Sequence, residues 1–329
     1  MAASLHPPPR FAYAPGVKLL FLGSGSFGLP TLRSLTRDHT LLAIVSQPDR
    51  PAGRGGVLTP TPIAQYAAQH LPSVPLLKPP KINDPDVVAQ LRALNADAWV
   101  VIAYGQKLGR ALLDGIFAIN LHGSLLPRWR GAAPINAAIL AGDPEVGSCV
   151  ITLAERMDAG LILARKAHPS DPSLTAGELH DLLAQDGPAL IEGVLSSKRP
   201  GTLRAEPQDE SRVTVAPKLS KADAWVDFRQ PAEECRRRVH GLNPWPGITV
   251  SFRGQPLKLV RVRPEQLSGD AREPGTIQDL PSGLVACGNS TTLRILEVLP
   301  PGRRQMPWTD FARGLRASAT ADRLIGRES

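Results

Sequence analysis

Two side chains separated by one residue open the chemical reading. Asn120 and His122 lie in Ile119-Asn-Leu-His-Gly-Ser-Leu-Leu-Pro-Arg-Trp-Arg-Gly-Ala-Ala-Pro134, where residues 116–121 form an apolar run suited to a strand. Side chains two apart on a strand point to the same face, so the amide and the imidazole share one side. An amide N–H donates to a developing oxyanion, and an imidazole either donates to the same oxygen or moves a proton. The pair therefore suits chemistry at a carbonyl carbon. Gly123 lets a substrate approach the backbone. A third group has to orient the imidazole and counter its charge. Asp158, in the turn Glu155-Arg-Met-Asp-Ala-Gly160, fits best; Asp143 and Asp114 compete, although Asp143 reads more simply as a turn acid before Pro144. Ser124 and Cys149 are candidate nucleophiles without an assigned base, so no covalent intermediate is required. A second pattern, Gly23-Ser-Gly-Ser-Phe-Gly28, matches GxGxxG, and Asp49 follows where a ribose-binding acid would stand. It supports either a dinucleotide site or a tight strand-to-helix turn that needs glycines for steric reasons.

The elements that must position these groups follow from periodicity. Residues 17–22 read as a buried strand, followed by the Gly-rich turn and a helix with Pro30 in its first turn. Strands are expected at 41–45, 98–103, 116–121, 147–153 and 160–165. Helices are expected at 61–70, at 84–94 behind an Asp84 N-cap with Pro85 following, and at 134–141. Thr175 and Glu178 form a capping-box pattern opening one long helix over 175–195. Alternating strands and helices imply an open, mostly parallel α/β sheet of Rossmann-like type. Beyond residue 217 the pattern changes to five short strands, at 248–253, 257–263, 276–279, 283–286 and 292–297, which suggests a small β-barrel of oligonucleotide-binding type. The expected division is a leader over 1–16 without periodicity, a catalytic domain over 17–205, a polar linker over 206–218 and the barrel over 219–329. In the last part, Arg236-Arg237-Arg238 is either a basic contact surface or a solvated helix face, and Asn243-Pro-Trp-Pro246 is expected to be a rigid turn around a packed Trp.

Composition excludes several classes. Of 329 residues, 42% are apolar and 21% charged, ordinary for a globular chain. The 29 Gly and 33 Pro stay below the roughly 25–30% that marks low complexity. The apolar run 98–103 is far short of the ~18–20 residues of a membrane span. The N-terminus lacks the apolar core of a signal peptide, so the expected compartment is the cytoplasm. The three cysteines and seven histidines are scattered, without metal-ligand spacing, so neither a disulfide framework nor a metal site is expected. The net charge of +8 favours a polyanionic partner such as nucleic acid, or is simply a solubilising charge.

Taken together, the motifs resemble those of the 10-formyltetrahydrofolate-dependent formyltransferases. INLHGSLLPRWRGAAP with the later MDAG is specific for that superfamily. The QPDRPAGRG loop, VVIAYG, VTVAPKLSK and GLNPWPG are similar to the methionyl-tRNA formyltransferase family within it, from Val17 onward. The resemblance implies Asn120, His122 and Asp158 as catalytic residues. It implies a folate site at Ser124, Leu125, Leu126 and Pro127, with Tyr104 and Gly105, for 10-formyltetrahydrofolate as formyl donor without a metal. It also implies contacts to methionyl initiator tRNA from Arg50 and Arg54 in the loop 49–56, and from Lys218 and Lys221, in an enzyme of translation initiation acting as a monomer. Two departures stand out: the first turn usually reads Gly-Thr-Pro-x-Phe-Ala, and Gln106-Lys-Leu-Gly109 replaces an apolar stretch. A dinucleotide-dependent oxidoreductase, argued from the GxGxxG turn, and a tRNA-binding module without catalysis are the alternatives.

Overall fold

The computed structural model describes residues 16–52, 55–197, 203–265, 272–315 and 322–326. The elements begin β1 (Lys18–Gly23), α1 (Leu29–Asp38), β2 (Thr40–Val45), β3 (Arg50–Ala52), β4 (Val57–Thr59), α2 (Pro62–His70), β5 (Leu76–Leu77), α3 (Pro85–Ala93), β6 (Ala98–Ile102), α4 (Arg110–Leu113) and β7 (Ala118–His122). They continue with β8 (Arg130–Gly131), α5 (Pro134–Ala141), β9 (Glu145–Thr152), β10 (Ile162–Pro169), α6 (Ala176–Ala184), α7 (Gly187–Ser196) and β11 (Val215–Ala216). The last are α8 (Ala232–Gly241), β12 (Ile248–Phe252), β13 (Gln255–Glu265), β14 (Ile277–Asp279), β15 (Leu284–Ala286), β16 (Thr292–Leu299), β17 (Met306–Pro307), α9 (Trp308–Arg313) and β18 (Leu324–Ile325).

Contacts group the chain into two compact units. The first holds the described residues up to His122, then Cys149–Arg165 and Ala184–Pro207; the second holds Gly123–Ser148, Lys166–Leu183 and the described residues from Gln208 onward. Strand order in the first sheet is β10-β9-β7-β6-β1-β2-β5. From β7 to β5 the pairings are parallel, and β9 runs antiparallel to β7. β6 is apolar throughout, and β1 from Leu19 onward, because both of their faces are covered there, as central parallel strands require. Leu20, Leu22, Ala43, Val45, Trp99 and Val101 pack with Ile82, Leu91 and Leu112 in one core cluster. The strand order reverses at β1, between β6 and β2, and such a switch point opens a crevice at the carboxyl ends of the strands.

Local rules account for most boundaries. Asp84 caps α3, accepting from the Asp86 N–H at 3.1 Å. Glu178 accepts from the Thr175 N–H at 2.8 Å, which completes the expected capping box. The long helix expected over 175–195 is instead two, α6 and α7. Pro188 stands in the first turn of α7, where its missing N–H costs nothing but where it cannot continue a preceding helix. Gly187 lets α7 close on α1: a Cβ there would lie 2.2 Å from Thr31 Oγ1.

In the second unit β14-β15-β16-β13-β12-β18 form an antiparallel sheet, with β17 beside β16. Its two ends meet: Ile277 N–H donates to Asp322 O and Leu324 N–H to Gly275 O, both at 2.8 Å, around a bridge between Thr276 and Arg323. The sheet therefore curls into the expected barrel. Its interior takes Val239, Leu259, Val262, Leu293, Ile295 and Trp308, whose indole donates to Leu280 O at 2.7 Å. Cys235 and Cys287 are buried there, and their mutual contact and desolvation push the Cys235 thiol up, away from the reactive thiolate. Residues 215–216 pair in parallel with Arg130–Gly131, and Arg130 is bonded to Gln208 at 3.0 Å and Glu210 at 2.9 Å. Gly131, at φ 126°, is required there, since a Cβ would lie 2.4 Å from Ala216 O.

Candidate active site

β7 places Asn120 and His122 on one face near its carboxyl end, in the sheet between β6 and β9. The turn after β9 brings back Asp158. His122 Nδ1 stands 3.7 Å from Asp158 Oδ2, with side chains only 7% and 14% exposed. That distance is beyond a direct hydrogen bond but well within charge attraction. Asp158 adopts φ 52°, a left-handed conformation that Asp tolerates better than most residues. Its turn is clamped at Thr152. The Thr152 N–H donates to Leu161 O and its Oγ1 accepts from the Leu161 N–H, both at 2.9 Å. A Cβ on Gly160 would lie 1.6 Å from Thr152 O, so only glycine passes. Thr152 also pairs with Ile119, beside Asn120, and Cys149 pairs with His122. One antiparallel ladder thus fixes all three candidate groups.

Of the competing carboxylates, that of Asp143 has other partners and that of Asp114 stands at the surface. Asp143 accepts from Arg128 at 2.5 Å and from the Trp129 indole at 2.6 Å. Asp114 is exposed, and its carbonyl accepts from Arg92 at 2.8 Å.

The Gly-rich turn is held by protein contacts. Ser24 Oγ donates to Tyr104 O at 2.9 Å and accepts from the Gln47 N–H at 3.1 Å, tying the ends of β1, β2 and β6. A Cβ on Gly23 would stand 2.6 Å from the Phe21 ring. Asp49, the would-be ribose acid, is bonded to Lys78 at 2.6 Å. Packing explains these glycines without a dinucleotide.

The implied folate residues separate into two groups. Tyr104 is buried in the β1–β6 core cluster, where desolvation pushes its phenol up to about 12, and Gly105 is exposed at φ 91°. Beside Gly105 lies Gln47, whose buried Nε2 has no hydrogen-bond partner among the described residues; residue type and spacing gave no signal for it. Gln106 is structural: it accepts from the Ile82 N–H at 2.9 Å and donates to Pro79 O at 3.3 Å. In the second unit, Ser124 Oγ donates to Arg128 O at 2.7 Å, Leu126 is buried, and Leu125 and Pro127 are half-buried, with a cis bond before Pro127.

The implied tRNA contacts are placed as follows. Arg50 is exposed, with a long 3.5 Å contact to Gln47. Its segment differs from the open loop expected, because Arg50–Ala52 pairs with Val57–Thr59 as an antiparallel ribbon. Gly55 and Gly56, at φ 106° and 63°, supply the reversal that lets it form. Arg54 lies outside the described residues, as does most of the leader over 1–16. Lys218 and Lys221 are exposed, and neither is ion-paired among the described residues. The basic run of α8 is largely engaged: Arg236 and Arg237 bind Glu233, and Arg238 lies over the Trp225 ring at 3.5 Å. The Trp expected to pack within its turn does not: Trp245 is 51% exposed.

An open, mostly parallel sheet that sets Asn120 and His122 on one face of β7, with Asp158 3.7 Å from His122, defines an α/β protein with a candidate site at the carboxyl end of a strand. The chain belongs to the formyl transferase family: residues 17–195 match the formyl transferase domain and residues 218–316 the formyl transferase C-terminal domain. It is 39% identical to a methionyl-tRNA formyltransferase from Symbiobacterium thermophilum, over 91% of this chain and 92% of that one. It is 40% identical to another from Methylococcus capsulatus, over 94% of this chain and all of that one. Among solved structures, the sugar 3N-formyltransferase WlaRD, determined with dTDP and 5-N-formyl-THF, has the same fold at TM-score 0.64 and 10% identity, covering 88% of this chain and 99% of that one. HypX from Aquifex aeolicus, in complex with tetrahydrofolic acid, aligns at TM-score 0.59 and 18% identity over 89% of this chain; this chain spans about half of HypX, 46%.

Proposed function

We propose that this chain transfers the formyl group of 10-formyltetrahydrofolate to the α-amine of methionyl initiator tRNA. The observation that carries the reading is near-full-length similarity to methionyl-tRNA formyltransferases, in a chain whose His122 and Asp158 face each other at 3.7 Å. The neutral amine attacks the formyl carbon. A C–N bond forms, and the carbonyl electron pair moves onto oxygen. The Asn120 amide and the His122 imidazolium donate to that oxyanion, and Asp158 balances the imidazolium charge. Collapse breaks the bond to the folate nitrogen, which leaves with the proton the amine has lost. The unpartnered Gln47 Nε2 is a donor available to a polar group of the formyl donor.

Recognition of the tRNA rests on charge in this reading. Exposed Arg50, Lys218 and Lys221, with Arg54, meet phosphates and the end of the stem, and the barrel domain adds to the basic surface. No described helix is long and apolar enough to cross a membrane, and the reading takes the enzyme to act as a monomer in the cytoplasm. The experiment is to mix purified protein with the formyl donor and charged initiator tRNA. Release of tetrahydrofolate matched by formyl-methionyl-tRNA supports the reading, and release without tRNA or none at all rejects it.

A further inference from the structure

The Asn243-Pro-Trp-Pro246 turn belongs to the second unit and has no part in the chemistry above. It is anchored on four sides. Gly177 N–H donates to Asn243 O at 3.0 Å, and Asn243 Nδ2 donates to Val260 O at 3.0 Å. Gly247 N–H donates to Leu242 O at 2.8 Å, and Lys258 Nζ to Pro244 O at 2.9 Å. Gly247, at φ 80°, leaves room for the lysine: a Cβ there would meet Lys258 Nζ at 2.5 Å. A turn so held would ordinarily bury its aromatic residue, yet Trp245 is 51% exposed. The other tryptophans are covered. Trp99 and Trp308 are buried, and arginine guanidinia lie over Trp129 and Trp225. Lys258 is not ion-paired with any described carboxylate, and its ammonium sits at the carbonyl that precedes Trp245.

We infer that Trp245 and Lys258 form a nucleotide subsite, with an unpaired base of the tRNA stacked on the indole and its phosphate facing the ammonium. An exposed flat ring on an anchored turn loses little freedom when a base covers it, and stacking of this kind tolerates any base. The net charge of +8 draws the polyanion to such a surface. The inference rests on the tRNA reading of the proposed function.

The test uses the full-length protein. Uncharged initiator tRNA is expected to quench tryptophan emission and to shield it from acrylamide, and Trp245→Phe to remove most of both effects. Trp245→Ala is expected to raise KM for charged tRNA about tenfold, the scale of one lost base stack, with kcat and KM for the formyl donor unchanged. Lys258→Ala is expected to lower the salt slope of tRNA binding by about one. Wild-type tRNA affinity in Trp245→Ala overturns the inference and leaves the enzyme reading intact. So does acrylamide shielding by the folate donor alone, since the ring would then serve the pterin. If the wild type binds no tRNA, the functional reading falls first and this inference with it.

Discussion

Replacing Gly160 by alanine tests whether the turn carrying Asp158 is set by its clamp at Thr152. The new Cβ would lie 1.6 Å from Thr152 O, whereas real Cβ contacts stay beyond about 3.0 Å, so the turn has to retreat by about 1.4 Å. Taken along the pair axis, the His122–Asp158 separation grows from 3.7 Å to about 5 Å. At an effective dielectric of ~20 the attraction falls by about 1.2 kcal/mol, or about eightfold in rate if the imidazolium acts in the transition state. Misalignment of the same order adds to this, because about 1 Å of displacement is able to cost on the order of 10²-fold. Gly160→Ala is therefore expected to lower kcat by about 10²-fold, with KM for the formyl donor within about threefold. Single-turnover kinetics measures this, with circular dichroism establishing that the variant is folded. A folded variant with kcat within about twofold of wild type would refute the positioning argument.

Asn120→Ala is expected to lower kcat by about 10²–10³-fold with little change in Tm, as for loss of one oxyanion donor; a normal rate removes Asn120 from the mechanism. Arg50→Ala is expected to reduce kcat/KM for charged tRNA far more than it weakens binding of the formyl donor, and equal losses would assign tRNA reading elsewhere. Stability is expected to depend on pH through His240. Burial, with help from the nearby Arg236 charge, holds the His240 imidazole down to about 4. Its ring is used as a neutral one: Nδ1 faces Pro172 O and Nε2 accepts from the Val262 N–H, each at 3.1 Å. Between pH ~6.5 and about 4 the unfolded chain binds a proton that the fold does not, so stability falls as pH falls through that window. The loss approaches about 1.4 kcal/mol per pH unit, roughly 3 kcal/mol in all. Urea denaturation at several pH values measures it, and a flat profile from pH 6.5 to 4 would contradict the burial argument.

Much of this was legible in residue order. The apolar runs of β1 and β6, the caps of α3 and α6, and the five barrel strands follow from periodicity and end signals that act over a few residues. Asn120 and His122 were readable because their spacing has a geometric meaning on a strand. Asp158 was one carboxylate among three, and what separates it from Asp143 is the long-range partnership of Asp143 with Arg128 and Trp129. Exposure at Trp245 and the Gln47 Nε2 left without a partner among the described residues depend on contacts between segments distant in sequence, which local pattern does not encode. The ribbon at Arg50 escaped notice because Pro51 argues against a strand, and only edge pairing tolerates it.

The most direct measurement is tetrahydrofolate release in a single turnover with methionyl initiator tRNA, comparing wild type with Asp158→Asn. The variant keeps the side-chain shape and removes the charge that faces His122 at 3.7 Å. The account predicts one tetrahydrofolate per formyl-methionyl-tRNA in the wild type, and a rate lower by about 10²–10³-fold in the variant. Equal rates in the two proteins, or tetrahydrofolate released without formylated product, would contradict it.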